Sequence, residues 1–265
     1  MSVLADKLHH NKLQGRKSLI IYITAGYPDM DTTLAAVLAA EQSGADLVEL
    51  GIPFSDPIAD GPVIQKAVTA SLAGGTTPGT TLELVRKIRS HSSIPLAFMT
   101  YINIILNYGT EDFTRDCRVA GIDALIVPDL PPEECGLLKP HCDTYGLNLI
   151  QFVTPTGDFS RVSLACNNAS GFIYCVSNTG VTGVRTVDYS AVGPTVDMVR
   201  AICDIPVAIG FGIGTPAAAR EAALYADGVI VGSAVVQLLE TKDIPAVKQL
   251  ISSIRQELDR EELTT

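Results

Sequence analysis

The sequence predicts a single (β/α)₈ barrel domain over residues 1–265, and three observations favour that fold. Eight short runs rich in Val, Ile and Leu recur along the chain, each too continuously apolar for a half-solvated strand. Segments of helical character lie between the runs, and no Ser-, Gly- or Pro-rich linker divides the chain. Length alone would also fit two smaller domains. The eightfold alternation favours a closed barrel over a doubly wound sheet with fewer strands.

The elements follow in order along the chain. The predicted strands are SLIIYIT (18–24), DLVELG (46–51), PLAFMT (95–100), DALIVPD (123–129), NLIQFV (148–153), GFIYCV (171–176), PVAIG (206–210) and GVIVG (228–232). Helices are predicted in DTTLAAVLAAEQSG, TLELVRKIRSH, EDFTRDCRVAG, EECGLLKPHCDTYG and TPAAAREAALYADG; the first opens on a capping-type residue and closes on glycine. A helix near residues 2–12 and one in PVIQKAVTASLAGG, after strand two, are additions to the minimal barrel. The segment 243–265 predicts a last amphipathic helix and an acidic tail.

Composition excludes several classes of function. A formal net charge of −10 argues against binding of nucleic acid, which requires clustered Lys and Arg. The six cysteines form no CxxC pair and the four His are scattered, so we expect buried reduced thiols and no metal site. No run approaches the roughly 18 apolar residues of a membrane helix, and the N-terminus lacks a signal-peptide pattern. We therefore expect a cytoplasmic protein without membrane contact, or one of the plastid stroma if the source is a photosynthetic eukaryote.

The stretch VELGIPFSDPIADG, residues 48–61, concentrates acidic residues where no cation is near. Between Lys17 and Lys66 the chain carries no Lys or Arg, so local ion pairs do not explain these acids. Glu49 lies near the end of strand two, where burial would raise its pKa and suit it to act as both acid and base. Asp60 would approach Glu49 if the proline-containing loop folds back over the strand end. The alternatives are a Glu49 that caps loop amides and an Asp60 that is solvated or caps a helix; Asp56 is expected to hold the turn or face outward.

Two glycine-rich strand exits predict an anion site. Strand seven leads into GFGIGTPAAAR and strand eight into GSAVVQLLE, so backbone N–H groups at helix N-termini become available to a phosphate. The loops after strands seven and eight are the common phosphate site of such barrels, although ordinary barrel turns would look similar. The loop SNTGVTGVRT after strand six is either a lid that closes over a ligand or a plain surface loop.

Other barrel chemistries lack their residues in this chain. No lysine falls at a predicted strand exit, where a Schiff-base aldolase would need one. No histidine lies there either, as a metal-dependent aldolase or hydrolase would require. The remaining chemistry is acid–base catalysis on a phosphorylated small molecule, with neither metal nor cofactor.

VELGIPFSDPIADGPVIQ, SNTGVTG, GFGI and GSAVV, in this order and spacing, resemble the tryptophan synthase α subunit family over nearly the whole chain. The resemblance implies a carbon–carbon lyase of tryptophan biosynthesis. Its reaction would be the retro-aldol cleavage of indole-3-glycerol phosphate into indole and glyceraldehyde 3-phosphate. It also implies a β subunit as partner, in an α2β2 heterotetramer, to which indole is passed.

The resemblance assigns roles to residues. Glu49 matches the general acid–base group, and Asp60 matches the carboxylate that stabilises positive charge at the indole N–H. The indole ring would pack on Tyr22, Met99 and Phe211, with Tyr174 beside the carboxylates and Thr182 as a lid residue that reaches Asp60. Backbone amides at the remaining matched positions would hold the phosphate; these are Gly183, Gly212, Gly232 and Ser233. Asn178 stands where some members carry a basic residue.

The resemblance further implies a partner surface at residues 53–60 and near Asn103. Two alternatives remain open. One is a stand-alone indole-3-glycerol phosphate lyase that releases free indole. The other is a catalytically silent barrel that activates a β subunit, although the presence of Glu49 and Asp60 weighs against it.

Overall fold

The computed structural model describes residues 3–176 and 188–260 and contains a closed barrel of eight parallel strands. Each strand pairs with the next along the chain, and the last pairs with the first. The strands are β1 (Ser18–Thr24), β2 (Leu47–Gly51), β3 (Leu96–Met99), β4 (Ala124–Ile126), β5 (Asn148–Val153), β6 (Ile173–Val176), β7 (Val207–Gly210) and β8 (Gly228–Val231). The predicted (β/α)₈ barrel is confirmed, and the doubly wound alternative is excluded because the sheet closes.

Helices connect consecutive strands. They are α1 (Val3–Leu13), α2 (Met30–Gln42), α3 (Pro62–Ala73), α4 (Pro78–Arg89), α5 (Ile102–Tyr108), α6 (Thr110–Ala120), α7 (Lys139–Tyr145), α8 (Phe159–Asn168), α9 (Gly193–Ile202), α10 (Pro216–Ala223), α11 (Ser233–Leu239) and α12 (Ile244–Leu258). Both predicted additions are present, α1 before the barrel and α3 ahead of α4 in the connection from β2 to β3. In the described part of the chain, no helix combines the length and apolar character needed to cross a membrane.

Four connections differ from the sequence prediction. The helix predicted over residues 133–146 is instead a 3₁₀ turn, Pro132–Leu137, followed by α7. Pro140 has no backbone N–H and is tolerated only in the first turn of a helix, so it favours a new helix start there. Helices α5, α8 and α9 were not predicted. The first is a short, almost wholly apolar run that lacks a side-chain cap, whereas α8 begins where Asp158 accepts a hydrogen bond from the Arg161 N–H.

The alternation of side chains along the strands produces two apolar clusters. One cluster fills the barrel interior. Every strand contributes at least one side chain to it, for example Ile20, Leu47 and Ile150, and α1 contributes Leu4 and Leu8. The other lies between the strands and the surrounding helices. Helix α1 thus closes the N-terminal end of the barrel, and polar chemistry is left to the opposite end.

Three aspartates clamp neighbouring strands at the N-terminal end of the barrel. Each directly precedes a strand, and its carboxylate accepts the backbone N–H of a residue in the strand before. The pairs are Asp46 with Leu19, Asp123 with Leu96 and Asp227 with Val207, at N···O distances of 2.9, 3.0 and 2.9 Å. An arginine forms an ion pair with each: Arg16, Arg89 and Arg200, at 2.6, 3.0 and 3.2 Å. These contacts fix the start of each strand relative to its neighbour.

We predict that Asp46→Ala destabilises the protein strongly, because it leaves the Leu19 N–H without its acceptor and removes one of the two carboxylates that face the buried Arg255 guanidinium, at 3.4 Å. A buried donor left without its acceptor typically costs about 1–3 kcal/mol, and the lost ion pairs with Arg16 and Arg255 add to that loss. Asp204→Ala is the matched control, since Asp204 also has a cation at 2.6 Å, Lys12, but its side chain is 74% exposed.

The free energy of unfolding, measured by denaturant titration, should fall by less than about 1 kcal/mol in the control. Asp46→Asn retains one acceptor oxygen and should lie between the two. Equal losses for Asp46→Ala and Asp204→Ala would contradict a structural role for the clamp.

Candidate active site

Glu49 lies at the centre of the candidate site. Its register neighbours are Tyr22 on β1 and Ala97 on β3. The side chain is fully buried, and no described residue hydrogen bonds to either carboxylate oxygen. Burial raises the pKa of Glu49 to about 8, so the group is mostly protonated at neutral pH. Within residues 3–176 and 188–260, no loop amide is capped by Glu49, and that alternative receives no support.

Asp60 is brought to the same end of the barrel by the loop after β2. Its side chain is only 7% exposed, and the Tyr101 hydroxyl donates a hydrogen bond to Oδ2 at 3.2 Å. Burial raises the pKa of Asp60, and this hydrogen bond opposes the rise because it stabilises the charged form. The loop does fold back as predicted, and the solvated alternative for Asp60 is wrong. Asp56 is exposed, as expected.

Two tyrosines border the carboxylates. Tyr22 accepts a hydrogen bond from the Thr24 hydroxyl at 3.3 Å, and Tyr174 stacks on Phe152 with ring centroids 4.9 Å apart. Burial raises the pKa of both phenols, and the negative charges of Glu49 and Asp60 raise it further. Because both carboxylates act on both phenols, the four groups lie near one another in a buried part of the barrel, where charge interactions are weakly screened.

Two glycines make room for these rings. A Cβ on Gly51 would overlap the phenol of Tyr22, and a Cβ on Gly210 would overlap that of Tyr174. Both glycines close their strands, β2 and β7. Any larger residue would force the tyrosines away from the carboxylates, so the shape of the site depends on Gly51 and Gly210.

The other predicted residues lie around this pocket. Met99 is half-buried at the end of β3, and Phe211 is 39% exposed directly after β7. Phe211 and Gly212 have φ angles of 91° and 75°, and the first is strained for a side chain of that size. Gly232 is the N-cap of α11, whose first residue, the exposed Ser233, follows it. Thr182, Gly183 and Asn178 lie outside the described residues.

Sequence reasoning missed four residues that shape the site: Gly51, Tyr101, Phe152 and Gly210. All four stand at or just after the carboxyl end of a strand, the same position that singled out Glu49. Phe152 also lines a cleft of about 370 Å³ beside the ends of β4 and β5, together with Asp129 and Thr154. The rule that points to strand ends could have found these residues, but their contacts become visible only in three dimensions.

The fold is a TIM barrel, and its two buried carboxylates, Glu49 and Asp60, lie at the carboxyl ends of the strands, where barrel enzymes have their active sites. The family model described as "Tryptophan synthase alpha chain" matches residues 8–263. The chain belongs to the tryptophan synthase alpha chain family.

Individual relatives agree with this assignment. The tryptophan synthase alpha chain of Geobacter sp. (strain M21) is 49% identical over 240 residues, which cover 91% of this chain and 90% of the relative. The crystal structure of tryptophan synthase subunit alpha from Legionella pneumophila str. Paris superposes with a TM-score of 0.90 at 35% identity, covering 98% of this chain and 99% of that one. A chain of the ligand-free tryptophan synthase from M. tuberculosis, also 35% identical, gives 0.88 over 97% and 99%.

We predict that Glu49 makes the folded protein less stable at alkaline pH. Because its pKa is raised from 4.5 to about 8 on folding, the native state binds more protons than the unfolded state between these values. The free energy of unfolding therefore decreases as pH rises from about 5 to about 8, by up to about 4 kcal/mol.

Glu49→Gln should lose this decrease, so the variant gains stability over wild type at pH 8.5 but not at pH 5. Denaturant titrations at the two pH values measure the effect, and Glu134→Gln, at an exposed position, should leave the pH dependence of the wild type unchanged. A Glu49→Gln variant with an unchanged pH dependence would show that Glu49 does not carry the raised pKa.

Proposed function

We propose that the chain cleaves indole-3-glycerol phosphate into indole and glyceraldehyde 3-phosphate by a retro-aldol reaction. The observation that carries this proposal is Glu49, whose fully buried carboxyl group has a pKa near the operating pH. A general acid–base catalyst is most effective under that condition. Membership of the tryptophan synthase alpha chain family supports the choice of substrate.

The proposed mechanism begins with Glu49 in its protonated form. Glu49 donates its proton to C3 of the indole ring, and the ring becomes an indolenine with positive charge at its N–H. The Asp60 carboxylate stabilises that charge. Glu49, now ionised, removes the proton of the hydroxyl group next to the ring. The carbon–carbon bond then breaks, its electrons return to the ring, and an aldehyde forms. One proton is given and one is taken, so Glu49 ends as it began.

The surroundings suit the two ends of this substrate. Tyr22, Met99 and Phe211 offer aromatic and apolar surface for the indole ring. At the other end, the backbone after β7 and the N-terminus of α11 would hold the phosphate, through the amides of Gly212, Gly232 and Ser233. We retain the roles of Thr182 and Gly183 as proposals from the resemblance. The six cysteines are free thiols, which suits the cytoplasm as the proposed compartment.

We predict that Glu49→Gln lowers turnover of indole-3-glycerol phosphate by ~10²-fold or more, because the amide cannot transfer the proton. Binding of glycerol phosphate, measured by calorimetry, should remain unchanged.

Gly232→Val is the complementary variant, because the new side chain would block the backbone amides while leaving Glu49 in place. Gly232 is a better choice than Gly212, whose φ of 75° would make any substitution strained.

Gly232→Val should weaken the binding of glycerol phosphate far more than the binding of an indole-like ligand. Turnover by Glu49→Gln within a few-fold of wild type would refute the role of Glu49. If Gly232→Val lost affinity equally for both ligands, the phosphate site would have to lie elsewhere.

We also propose a β subunit as the partner of the surface formed by residues 53–60 and the region of Asn103. Ile58 in this loop is 79% exposed, so its apolar side chain is available for contact with a partner. The neighbouring Phe54 packs on Tyr101, with ring centroids 5.2 Å apart. A partner that contacts this loop would therefore act next to Asp60.

We predict that the purified chain releases indole slowly alone and faster once a tryptophan synthase β subunit is added. The partner would shift the Asp60 loop toward its competent arrangement, and substrate analogues should tighten the complex by linkage. Ile58→Asp should abolish the increase, since it places a charge in the contact surface. Val119→Asp is the matched control, because Val119 is 73% exposed on α6.

High activity alone, unchanged by a bound β subunit, would indicate a stand-alone lyase. No indole release under either condition, with activation of the β subunit, would indicate a silent activator.

A further inference from the structure

Tyr101 contacts three residues of the loop after β2, namely Phe54, Ala59 and Asp60. Its side chain, 4% exposed, follows the end of β3. The hydroxyl accepts a hydrogen bond from the Ala59 N–H at 3.1 Å and donates one to Asp60 Oδ2 at 3.2 Å. The ring lies against Phe54. One side chain thus contacts both the backbone of the loop and its candidate catalytic carboxylate.

We propose that Tyr101 is a positioning residue for the cleavage reaction, which orients the Asp60 carboxylate, favours its ionised form and ties both to the position of the loop. The inference rests on the proposed function. It adds a residue that does not touch the reacting atoms and acts through Asp60.

Among the described groups around Asp60, Tyr101 is the one that can stabilise its ionised form. The ionisable groups around the pocket supply negative charge or neutral phenol: Tyr22 on β1, Glu49 on β2, Asp129 after β4 and Tyr174 on β6. On α3, the exposed Lys66 pairs with Glu240. None of the ion pairs between described residues includes Asp60. Among the described residues, the hydrogen bond from Tyr101 is the interaction that opposes the effect of burial on the pKa of Asp60.

The order of the two hydrogen bonds matters. The Ala59 N–H donates to the Tyr101 oxygen, and the same hydroxyl donates to Asp60. A hydroxyl that accepts one hydrogen bond becomes a stronger donor in the next, so the two bonds strengthen each other. A loop movement that displaces Ala59 would therefore weaken the contact to Asp60 as well. Tyr101 is the place where loop position and the charge of Asp60 are coupled.

Tyr101→Phe tests the proposal because it removes the hydroxyl and keeps the ring on Phe54. The experiment measures kcat and KM for indole-3-glycerol phosphate from pH 5.5 to 9, with saturating β subunit. Without its donor, Asp60 should take up a proton more readily. The acidic limb of the kcat/KM profile should move upward by about one pH unit, which is tenfold in proton affinity. At a pH below the limb, kcat should fall more than KM changes.

Tyr108→Phe is the matched control. Its hydroxyl also donates to a carboxylate, Asp116 Oδ2 at 2.8 Å, but that pair joins α5 to α6. The control should leave the pH profile unshifted. A Tyr101→Phe variant with an unmoved acidic limb would overturn the proposal, even if its activity were lower, because a merely structural residue would lower activity at every pH.

A second readout separates this inference from the proposed function. The carboxyl ¹³C resonance of Asp60, assigned by its loss in Asp60→Asn, reports the pKa of Asp60 without any substrate. That pKa should be higher in Tyr101→Phe than in wild type. If wild type releases no indole under any condition, the proposed function fails, and the NMR titration still decides whether Tyr101 favours the ionised form. An unchanged Asp60 pKa overturns the inference whatever the activity.

Discussion

The burial of the Glu49 carboxyl group without a hydrogen-bonding partner among the described residues is the constraint on which the rest of the site depends. An ionised carboxylate is strongly disfavoured in such an environment, so the group becomes a neutral acid near pH 7. The barrel imposes this environment, because Gly51 and Gly210 leave room for the rings of Tyr22 and Tyr174 beside the carboxylates. The two glycines therefore affect the surroundings of Glu49 indirectly, because they allow the tyrosine rings to lie beside it.

The carboxylates at the two ends of the barrel differ in their partners. At the N-terminal end, Asp46, Asp123 and Asp227 each receive a backbone N–H and an arginine, so their charge is compensated and they hold strand to strand. At the carboxyl end, Glu49 and Asp60 have no cation partner among the described residues. Stability is supplied where no reaction takes place, and the barrel can therefore tolerate a site whose groups destabilise the fold.

The sequence was sufficient for what depends on local pattern. The bounds of β1 and β5 agree with the apolar runs at 18–24 and 148–153, and Glu49 could be identified because a carboxylate at the end of a buried strand is exceptional. The prediction of one continuous helix across Pro140 was wrong, because a proline is tolerated only in the first turn and so favours a new helix start there. The position of Tyr101 just after β3 could have drawn attention to it, but its contacts could not be found in this way. Its role arises from a loop that folds back across forty residues of chain, a contact that periodicity does not encode. The assigned roles of the site residues remain predictions.

The different surroundings of Glu49 and Asp60 suggest why two carboxylates in one pocket can take different tasks. Both are buried, and burial raises the pKa of each. Only Asp60 receives a hydrogen bond from a described residue, and a donor to the charged form lowers the pKa. The pair is thereby biased toward a protonated Glu49 and an ionised Asp60, the combination that an acid and a charge stabiliser require. If both carboxyl groups had the same partners, like-charge repulsion would leave their protonation states undecided. The deeper burial of Glu49 and the hydrogen bond from Tyr101 to Asp60 both contribute to this asymmetry. The Tyr101 hydroxyl also accepts a hydrogen bond from the Ala59 N–H, so it connects Asp60 to the loop on which a partner would act.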